Sequence, residues 1–197
     1  MIRAGIIGGA GYTAGELIRL LVNHPQVRLA FVHSTSNAGN RIADVHGGLE
    51  GDTELRFADT CDLASIDVLF LCSAHGESRK WLEANDVPAG VKIIDLAQDF
   101  RDESDGFVYG LPELNRDRIR TAERVANPGC FATAIQLALL PLAAAGLLTG
   151  EVHVTAVTGS TGAGVKPSAT THFSWRTDNI SVYKAFTHQH LIEIGRN

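Results

Sequence analysis

The sequence predicts an α/β fold: a Rossmann-like doubly wound parallel sheet over residues 1–128, followed by a second unit over 129–197. Two observations carry this prediction. A glycine-rich turn joins a buried N-terminal strand, Arg3–Gly8, to an amphipathic helix, Glu16–His24. Short apolar segments then alternate with helical ones, which is the pattern of βα units with right-handed crossovers. The further predicted strands are Val27–His33, Asp67–Ser73, Val91–Leu96 and Arg124–Asn127.

Composition narrows the class of protein and its partners. The chain has 197 residues, of which 45% are hydrophobic and 20% charged, as in globular proteins. Its net charge of −5 argues against nucleic acid as the main partner. No stretch approaches the roughly 20 apolar residues of a membrane span, so we expect no membrane partner. The spacing of the three cysteines, Cys61, Cys72 and Cys130, fits neither a disulfide framework nor a zinc site, so we predict no metal site. We expect Cys61 and Cys72 to pack in the core. Free thiols also suit a reducing cytoplasm.

The first turn has the context of a dinucleotide-binding site. Gly8, Gly11 and Gly15 follow a strand and open a helix, although their spacing departs from the commoner G-x-G-x-x-G. Glycines let the backbone approach a pyrophosphate, which the positive end of the helix attracts. The alternative is a tight turn that binds nothing. The cofactor-binding residues predicted here are Gly8, Ala10, Gly11, Tyr12 and Thr13.

The end of the second strand favours NADP(H) over NAD. An NAD site usually places Asp or Glu there to hold the ribose 2′-hydroxyl. This chain instead has hydroxyls, an amide and Arg41, which suit a 2′-phosphate, although an ordinary polar loop is the alternative. Ligands sit at the carboxyl ends of parallel strands, so residues after the third strand join the prediction. The assigned residues are Ser34, Ser36, Asn37, Ser73, His75 and Gly76.

A second motif, Asn127-Pro-Gly-Cys130, predicts a nucleophile. Pro fixes φ and Gly accepts positive φ, so these residues form a turn. A buried helix follows, with Pro141 in its last turn and Gly146 at its end. Cys130 is therefore at the first turn of a helix, where the dipole favours a thiolate and free N–H groups can hold an oxyanion.

Other segments carry weaker signals. Glu151–Thr158 alternates like a strand with one wet face. Gly159–Pro167 is a glycine-rich loop that lacks the P-loop pattern, because Pro follows its Lys. Tyr109–Arg116 is interpreted as a polar loop, and residues 42–66 as less regular. Gln136 and Trp175 are assigned to packing.

Several motifs, in order along nearly the whole chain, resemble one family. They are Gly8–Leu17, Ser36–Gly39, Ala74–Gly76, Asp95–Arg101, Tyr109–Asn115, Asn127–Thr133, Gly159–Gly164 and His188–His190. The chain is similar to the N-acyl-γ-glutamyl-phosphate reductases of arginine biosynthesis, which are related to aspartate-semialdehyde dehydrogenase. The resemblance implies that the second unit is the first part of a mixed α/β substrate and dimerisation domain, and that the full-length protein is a homo-oligomer.

Two features depart from the family pattern. Family members carry His-x-His-x-Pro-Glu-Ile, whereas here Leu191 and Ile192 precede Glu193. Family chains also exceed this one in length, so we expect a chain truncated at its C-terminus, without the remainder of the substrate domain.

The resemblance implies an activity and a set of site residues. The activity is NADPH-dependent reduction of an N-acyl-L-glutamyl 5-phosphate, N-acetyl in the first instance, to the 5-semialdehyde and phosphate through a thioester on Cys130. His190 is the expected proton carrier and His188 the alternative. Arg176 is a further cation that we place near the substrate. The expected substrate-binding residues are Arg101, Asn127, Ser160, Gly162 and Lys184.

Two other classes of function remain open. One is a different Cys-dependent enzyme, either another semialdehyde dehydrogenase or an acyl transferase, which needs Cys130 but does not couple NADPH turnover to phosphate. The other is a catalytically silent nucleotide-binding fragment.

Overall fold

A computed structural model describes residues 1–196 and confirms the α/β fold. Its core is a six-stranded sheet in the order β2-β1-β3-β4-β6-β5, and every neighbouring pair is parallel. The bounds of the predicted strands agree with the observed bounds to within about two residues. The edge strand β5 was not predicted. The strands are β1 Ile2–Ile7, β2 Val27–His33, β3 Val68–Leu71, β4 Lys92–Asp95, β5 Val108–Tyr109 and β6 Arg124–Ala126.

Helices connect these strands and continue beyond the sheet. They are α1 Tyr12–Val22, α2 Ile42–Val45, α3 Glu77–Ala84, α4 Pro112–Thr121, α5 Cys130–Ala144, α6 Phe173–Arg176 and α7 His190–Ile194. Three short 3-10 helices lie at Leu63–Ser65, Ser104–Gly106 and Ser160–Ala163. None of the helices in residues 1–196 combines the length and apolar character needed to span a bilayer.

The sheet is buried on both faces, as its apolar strands predict. Alternate residues of β1 enter different clusters: Ala4 and Ile6 pack with the α1 side chains, whereas Ile7 packs with Leu69 and Leu71 of β3. Because successive strand residues point to opposite faces, the two clusters cover the two sides of one sheet. The sheet is therefore rigid, and loops at its carboxyl edge have a fixed base.

Two of the predicted local structures are wrong. Residues 151–158 form no strand; they have no regular secondary structure and are exposed, with Val157 86% exposed. Alternating polarity makes a strand only where a partner strand completes the ladder, and no strand of residues 1–196 pairs with this segment. The predicted loop after Tyr109 is instead the helix α4. Pro112 lies in its first turn, where a missing N–H costs nothing because that donor has no partner inside a helix.

The helix that follows the Asn-Pro-Gly turn ends close to the predicted position. It runs to Ala144, with Pro141 inside its last turn. Gly146 has φ +68, a left-handed conformation that ends helices and that glycine adopts without steric cost.

Candidate active site

A cavity of about 500 Å³ lies at the carboxyl ends of β1, β2 and β3. Chain connections diverge on either side of β1, which makes this the topological switch point where open α/β sheets bind ligands. The cavity brings together Gly8, Ala10, Gly11, Ser34, Ser36 and Ser73 of the predicted cofactor-binding residues.

Gly8 leaves no room for a side chain. Its φ is +76, and a Cβ atom there would lie 2.8 Å from the carbonyl carbon of Cys72. The loop therefore passes directly over the end of β3 and exposes backbone instead of side chains. Such a cradle fits the pyrophosphate of a dinucleotide.

Gly15 serves packing, not the ligand. A Cβ atom on Gly15 would lie 2.6 Å from Nδ1 of His46. The buried His46 ring fills this space, and its Nε2 is 2.7 Å from the carbonyl oxygen of Gly9. His46, which sequence reasoning missed, thus fastens the glycine turn to the first turn of α1.

The other predicted cofactor residues lie around the cavity without lining it. Tyr12 and Thr13 are exposed at the start of α1. The amide of Asn37 donates to the Ser36 hydroxyl at 3.1 Å. His75 Nδ1 accepts from the Gln98 N–H at 3.2 Å, and Gly76, with φ +86, donates its N–H to Asp99 at 2.7 Å.

The cation predicted near the 2′-phosphate is paired elsewhere. Arg41 lies 3.1 Å from a carboxylate oxygen of Glu54 and 3.8 Å from Asp44. Lys80 of α3 lines the cavity and pairs with Glu77 at 2.8 Å. Sequence reasoning missed this face of α3. The sequence could have indicated it, because residues three and four apart on a helix share one face and α3 starts at the edge of the sheet where ligands bind. The α3 residues in the cavity are Glu77, Lys80, Trp81 and Ala84.

Gly8→Ala tests the cradle. We expect its free energy of unfolding to be about 1–3 kcal/mol lower than that of Gly51→Ala, because only Gly8→Ala adds an overpacked contact. Gly51 is the matched control, since its φ is +86 and nothing lies within 4 Å of its Cβ position. Urea unfolding measures both, and NADP⁺ affinity should fall about tenfold for Gly8→Ala only, which is about 1.4 kcal/mol. Equal stability and equal affinity of the two variants would contradict the steric account.

Cys130 begins α5 directly after strand β6 and is exposed. The Asn127 N–H donates to the Asp95 carbonyl at 2.7 Å, which fixes the turn at the sheet edge. The first N–H bonded within the helix is that of Thr133, to Gly129. The N–H groups of residues 130–132 thus have no acceptor within the helix and lie at the same helix end as the thiol.

The other two thiols have different surroundings. Cys72 is buried, and burial, with Asp95 nearby, raises its pKa to about 12. Burial also raises the pKa of Cys61. Both thiols are therefore protonated at neutral pH, and Cys130 is the exposed cysteine.

Gly129 is required for a reason that the turn chemistry did not predict. Its φ is −68, so no left-handed conformation is involved. A Cβ atom there would lie 2.3 Å from Nε2 of His190. The imidazole therefore packs on the α-carbon of the residue before Cys130.

The rings of His188 and His190 lie next to each other. The chain is helical from His190, and the two ring centroids are 4.5 Å apart. The Phe131 ring contacts both, at 5.3 Å and 6.1 Å. Burial lowers the pKa of His190 to about 4, opposed by the charge of Glu193, and burial with Lys184 lowers the pKa of His188. Within residues 1–196, the buried Nδ1 of His190 has no hydrogen-bond partner.

Glu193, one turn after His190, is buried among polar groups. Its carboxylate accepts from Arg101 at 2.8 Å, and from the Tyr109 hydroxyl and the Gly129 N–H at 3.0 Å each. Gln136, assigned to packing from the sequence, donates to the Glu193 carbonyl at 3.3 Å. Burial and the neighbouring carboxylate raise the pKa of Tyr109. These residues were not predicted to act together.

The predicted substrate-binding residues have separate environments. The Arg101 side chain is 7% exposed and paired with Glu193, while its Nε donates to the carbonyl of Asn127. The exposed Lys184 donates to Gln189 at 2.9 Å. Ser160 and Gly162 belong to the 3-10 helix Ser160–Ala163. Arg176 stacks over Trp175, with 5.0 Å between guanidinium and ring centre.

Two family models match the chain. Residues 3–122 match the semialdehyde dehydrogenase NAD binding domain. The chain belongs to the semialdehyde dehydrogenase family. Residues 130–197 match the dimerisation domain of the same family. The second match begins at Cys130, so the family relationship covers both the nucleotide cavity and the thiol.

Curated relatives share high identity with this family member. The N-acetyl-γ-glutamyl-phosphate reductase of Bacteroides thetaiotaomicron is 66% identical over 199 residues, covering 100% of this chain and 62% of that protein. The protein of that name from Flavobacterium johnsoniae is 55% identical over 203 residues, again covering 100% and 62%. The chain thus spans about three fifths of the length of these relatives.

Solved structures of the family support the fold. Aspartate semialdehyde dehydrogenase II of Vibrio cholerae superposes with a TM-score of 0.58 at 24% identity, over 74% of this chain and 47% of that one. The Candida albicans aspartate semialdehyde dehydrogenase with NADP gives a TM-score of 0.58 at 19% identity, over 75% and 48%. At these identities the likeness establishes the fold alone.

Proposed function

We propose that this chain carries the site for NADPH-dependent reduction of an N-acyl-L-glutamyl 5-phosphate, with N-acetyl as the acyl group, to the 5-semialdehyde and phosphate. One observation carries the proposal: an exposed cysteine at a helix N-terminus, with a histidine packed on the preceding residue. Both stand at the sheet edge that also holds the nucleotide cavity. The names of the curated relatives support this substrate.

The chemistry follows from the residues at the thiol. An acyl phosphate carbon requires a strong nucleophile, and the Cys130 thiolate attacks it to form a tetrahedral oxyanion. The unpaired N–H groups at the start of α5 stabilise this charge, by about 3 kcal/mol for a well-placed donor. Phosphate leaves, and a thioester on Cys130 remains. Burial lowers the pKa of His190, so its neutral imidazole accepts the proton of the Cys130 thiol as the attack begins and returns a proton to the sulfur when the thiohemiacetal collapses to the aldehyde.

The residues of the cavity fit a bound NADP(H). Gly8 and Gly11 form the cradle for its pyrophosphate, while Ser34, Ser36 and Ser73 supply hydroxyls around the same space. The bound cofactor supplies the hydride that reduces the thioester carbon. Ala10, Tyr12, Thr13, Asn37, His75 and Gly76 complete the proposed cofactor site.

The remaining assignments belong to the same proposal. The nucleotide-binding domain is 1–128 and the partial substrate domain is 129–197. The residues proposed around the substrate are Asn127, Ser160, Gly162, Lys184 and Arg101. Of these, Arg101 would act indirectly, through its ion pair with Glu193. The family description of a dimerisation domain supports a homo-oligomer. The three free thiols support a cytoplasmic location, and the names of the curated relatives support a role in arginine biosynthesis.

A second candidate is a nucleotide-binding module without turnover. It is favoured by the exposure of apolar side chains in the partial substrate domain. Large apolar side chains there lie in solvent, with Ile180 91% and Phe186 96% exposed. Exposed apolar surface of this kind is normally covered by another element or chain.

The reverse reaction distinguishes these functions. The purified chain is mixed with N-acetylglutamate 5-semialdehyde, NADP⁺ and phosphate, and NADPH is followed by absorbance. Reduction that requires both semialdehyde and phosphate is the expected result. Reduction without phosphate indicates a different semialdehyde dehydrogenase. An acyl transferase gives no reduction in this mixture; supplied with the acyl phosphate and a thiol acceptor instead, it would form the thioester and release phosphate without consuming NADPH. Tight NADP⁺ binding with no reduction supports the silent module.

A further inference from the structure

We propose that Glu193 is a positioning residue, which holds the His190 imidazole and the N-terminus of the Cys130 helix in one fixed relation. The inference deepens the proposed function and rests on it for its catalytic consequence. Its structural part stands on the hydrogen bonds of a single buried carboxylate.

Both carboxylate oxygens of Glu193 are used. Oε1 accepts from the Arg101 guanidinium at 2.8 Å and lies 3.9 Å from Nε2 of His190. Oε2 accepts from the Gly129 N–H and the Tyr109 hydroxyl, each at 3.0 Å. One side chain therefore hydrogen-bonds to the residue before Cys130 and to two side chains of the nucleotide-binding half, and it lies next to the ring of His190.

Arg101 extends the connection to the turn before the thiol. Its Nε donates to the carbonyl of Asn127 at 2.9 Å, and a terminal nitrogen donates to the carbonyl of Leu96 at 3.2 Å. The guanidinium thus clamps the ends of β4 and β6 while it pairs with Glu193. Because a guanidinium is a planar, rigid group of donors, the clamp fixes direction as well as distance.

The hydrogen bond between Gly129 and Glu193 also determines which N–H groups at the start of α5 remain free. The Gly129 N–H donates to Glu193, so it is not free to bind a developing oxyanion. The N–H groups of residues 130–132 stay available beside the thiol. Losing the carboxylate would let the Gly129 turn move, and the imidazole packed on its α-carbon would move with it.

A buried ion pair is poor evidence for stability, because desolvation offsets much of the attraction. Arg101 and Glu193 side chains are each 7% exposed. Such a pair is best accounted for by the geometry that it imposes, here on Gly129 and His190. Besides burial, the charges that lower the pKa of His190 within residues 1–196 include those of His188, Arg101 and His75.

Proton NMR tests this arrangement without turnover. In the wild-type chain, the His190 Hε1 proton should show a nuclear Overhauser effect to the Gly129 Hα protons, since Cε1 lies 2.5 Å from the Cβ position of Gly129. Glu193→Gln should lose this effect, and kcat should fall about 100-fold with KM little changed, the cost of a displacement near 1 Å. Glu193→Asp should restore part of both.

Two further variants make the result decisive. Arg101→Gln with Glu193→Gln leaves no unpaired buried charge, so it tests position even where the single variant does not fold. Asp67→Asn removes the exposed ion pair of Arg3 and Asp67, and should behave as wild type in both readouts. If the Overhauser effect persists in folded Glu193 variants, Glu193 does not position His190. If wild type shows the effect but never reduces NADP⁺, the proposed function fails while the positioning role is still decided.

Discussion

Cys130→Ser is expected to lower the rate of NADP⁺ reduction by about 10⁴-fold or more, the scale on which loss of a covalent nucleophile acts. A serine hydroxyl remains protonated at neutral pH and is a much weaker nucleophile than a thiolate. A thiol at the start of α5 reacts as thiolate beside three N–H groups. The measurement is kcat with semialdehyde, NADP⁺ and phosphate, together with NADP⁺ affinity. That affinity should not change, because Cys130 does not line the cavity.

Cys61→Ser is the matched control for this substitution. Cys61 is half-buried, its pKa is raised by burial, and it lies outside both the thiol site and the cavity. It should therefore keep wild-type activity. Iodoacetamide, followed by peptide mass spectrometry, should label Cys130 before Cys61 and Cys72. Equal rates in Cys130→Ser and wild type would remove Cys130 from the mechanism.

Local sequence signals predicted the sheet, the glycine turn at Gly8 and the turn before Cys130. The glycine turn at Gly8 could be predicted because a strand, a positive-φ turn and a helix are each encoded within a few residues. Cys130 was placed correctly at a helix start because Asn127-Pro-Gly interrupts regular structure and an apolar helical segment follows. Pro112 suits both a loop and the first turn of a helix, and in the structure it begins α4.

Long-range contacts were beyond the reach of sequence patterns. Arg101 and Glu193 are 92 residues apart, and neither periodicity nor spacing indicates that they meet. Arg101 was consequently assigned to the substrate, whereas its guanidinium is buried against Glu193. The need for glycine at 129 was attributed to φ, although the space is taken by the distant His190 ring. The strand predicted at residues 151–158 was wrong for a related reason. Polar and apolar residues do alternate there, but no partner strand lies beside the segment in residues 1–196.

Gly129→Ala is expected to reduce kcat about 100-fold by displacing the imidazole, the cost of an error near 1 Å in a reacting group. The backbone accepts the new residue, because φ is −68 and ψ is 151. The methyl group, however, would lie 2.3–2.6 Å from Nε2, Cε1 and Cδ2 of His190. The ring must move, because the adjoining Glu193 and Arg101 are held by buried hydrogen bonds. Steady-state kinetics should show the loss in kcat, with NADP⁺ affinity unchanged.

Gly150→Ala provides the comparison, because nothing lies within 4 Å of the Cβ position there. It shares the entropic consequence of replacing glycine but none of the collision. Overpacking should cost Gly129→Ala about 1–3 kcal/mol in the free energy of unfolding relative to this control. A second substitution, His190→Ala, removes the colliding ring. Gly129→Ala should then recover the stability of His190→Ala alone while activity stays low, because space is restored and the proton carrier is gone. Full activity in Gly129→Ala would mean that catalysis does not depend on where His190 lies.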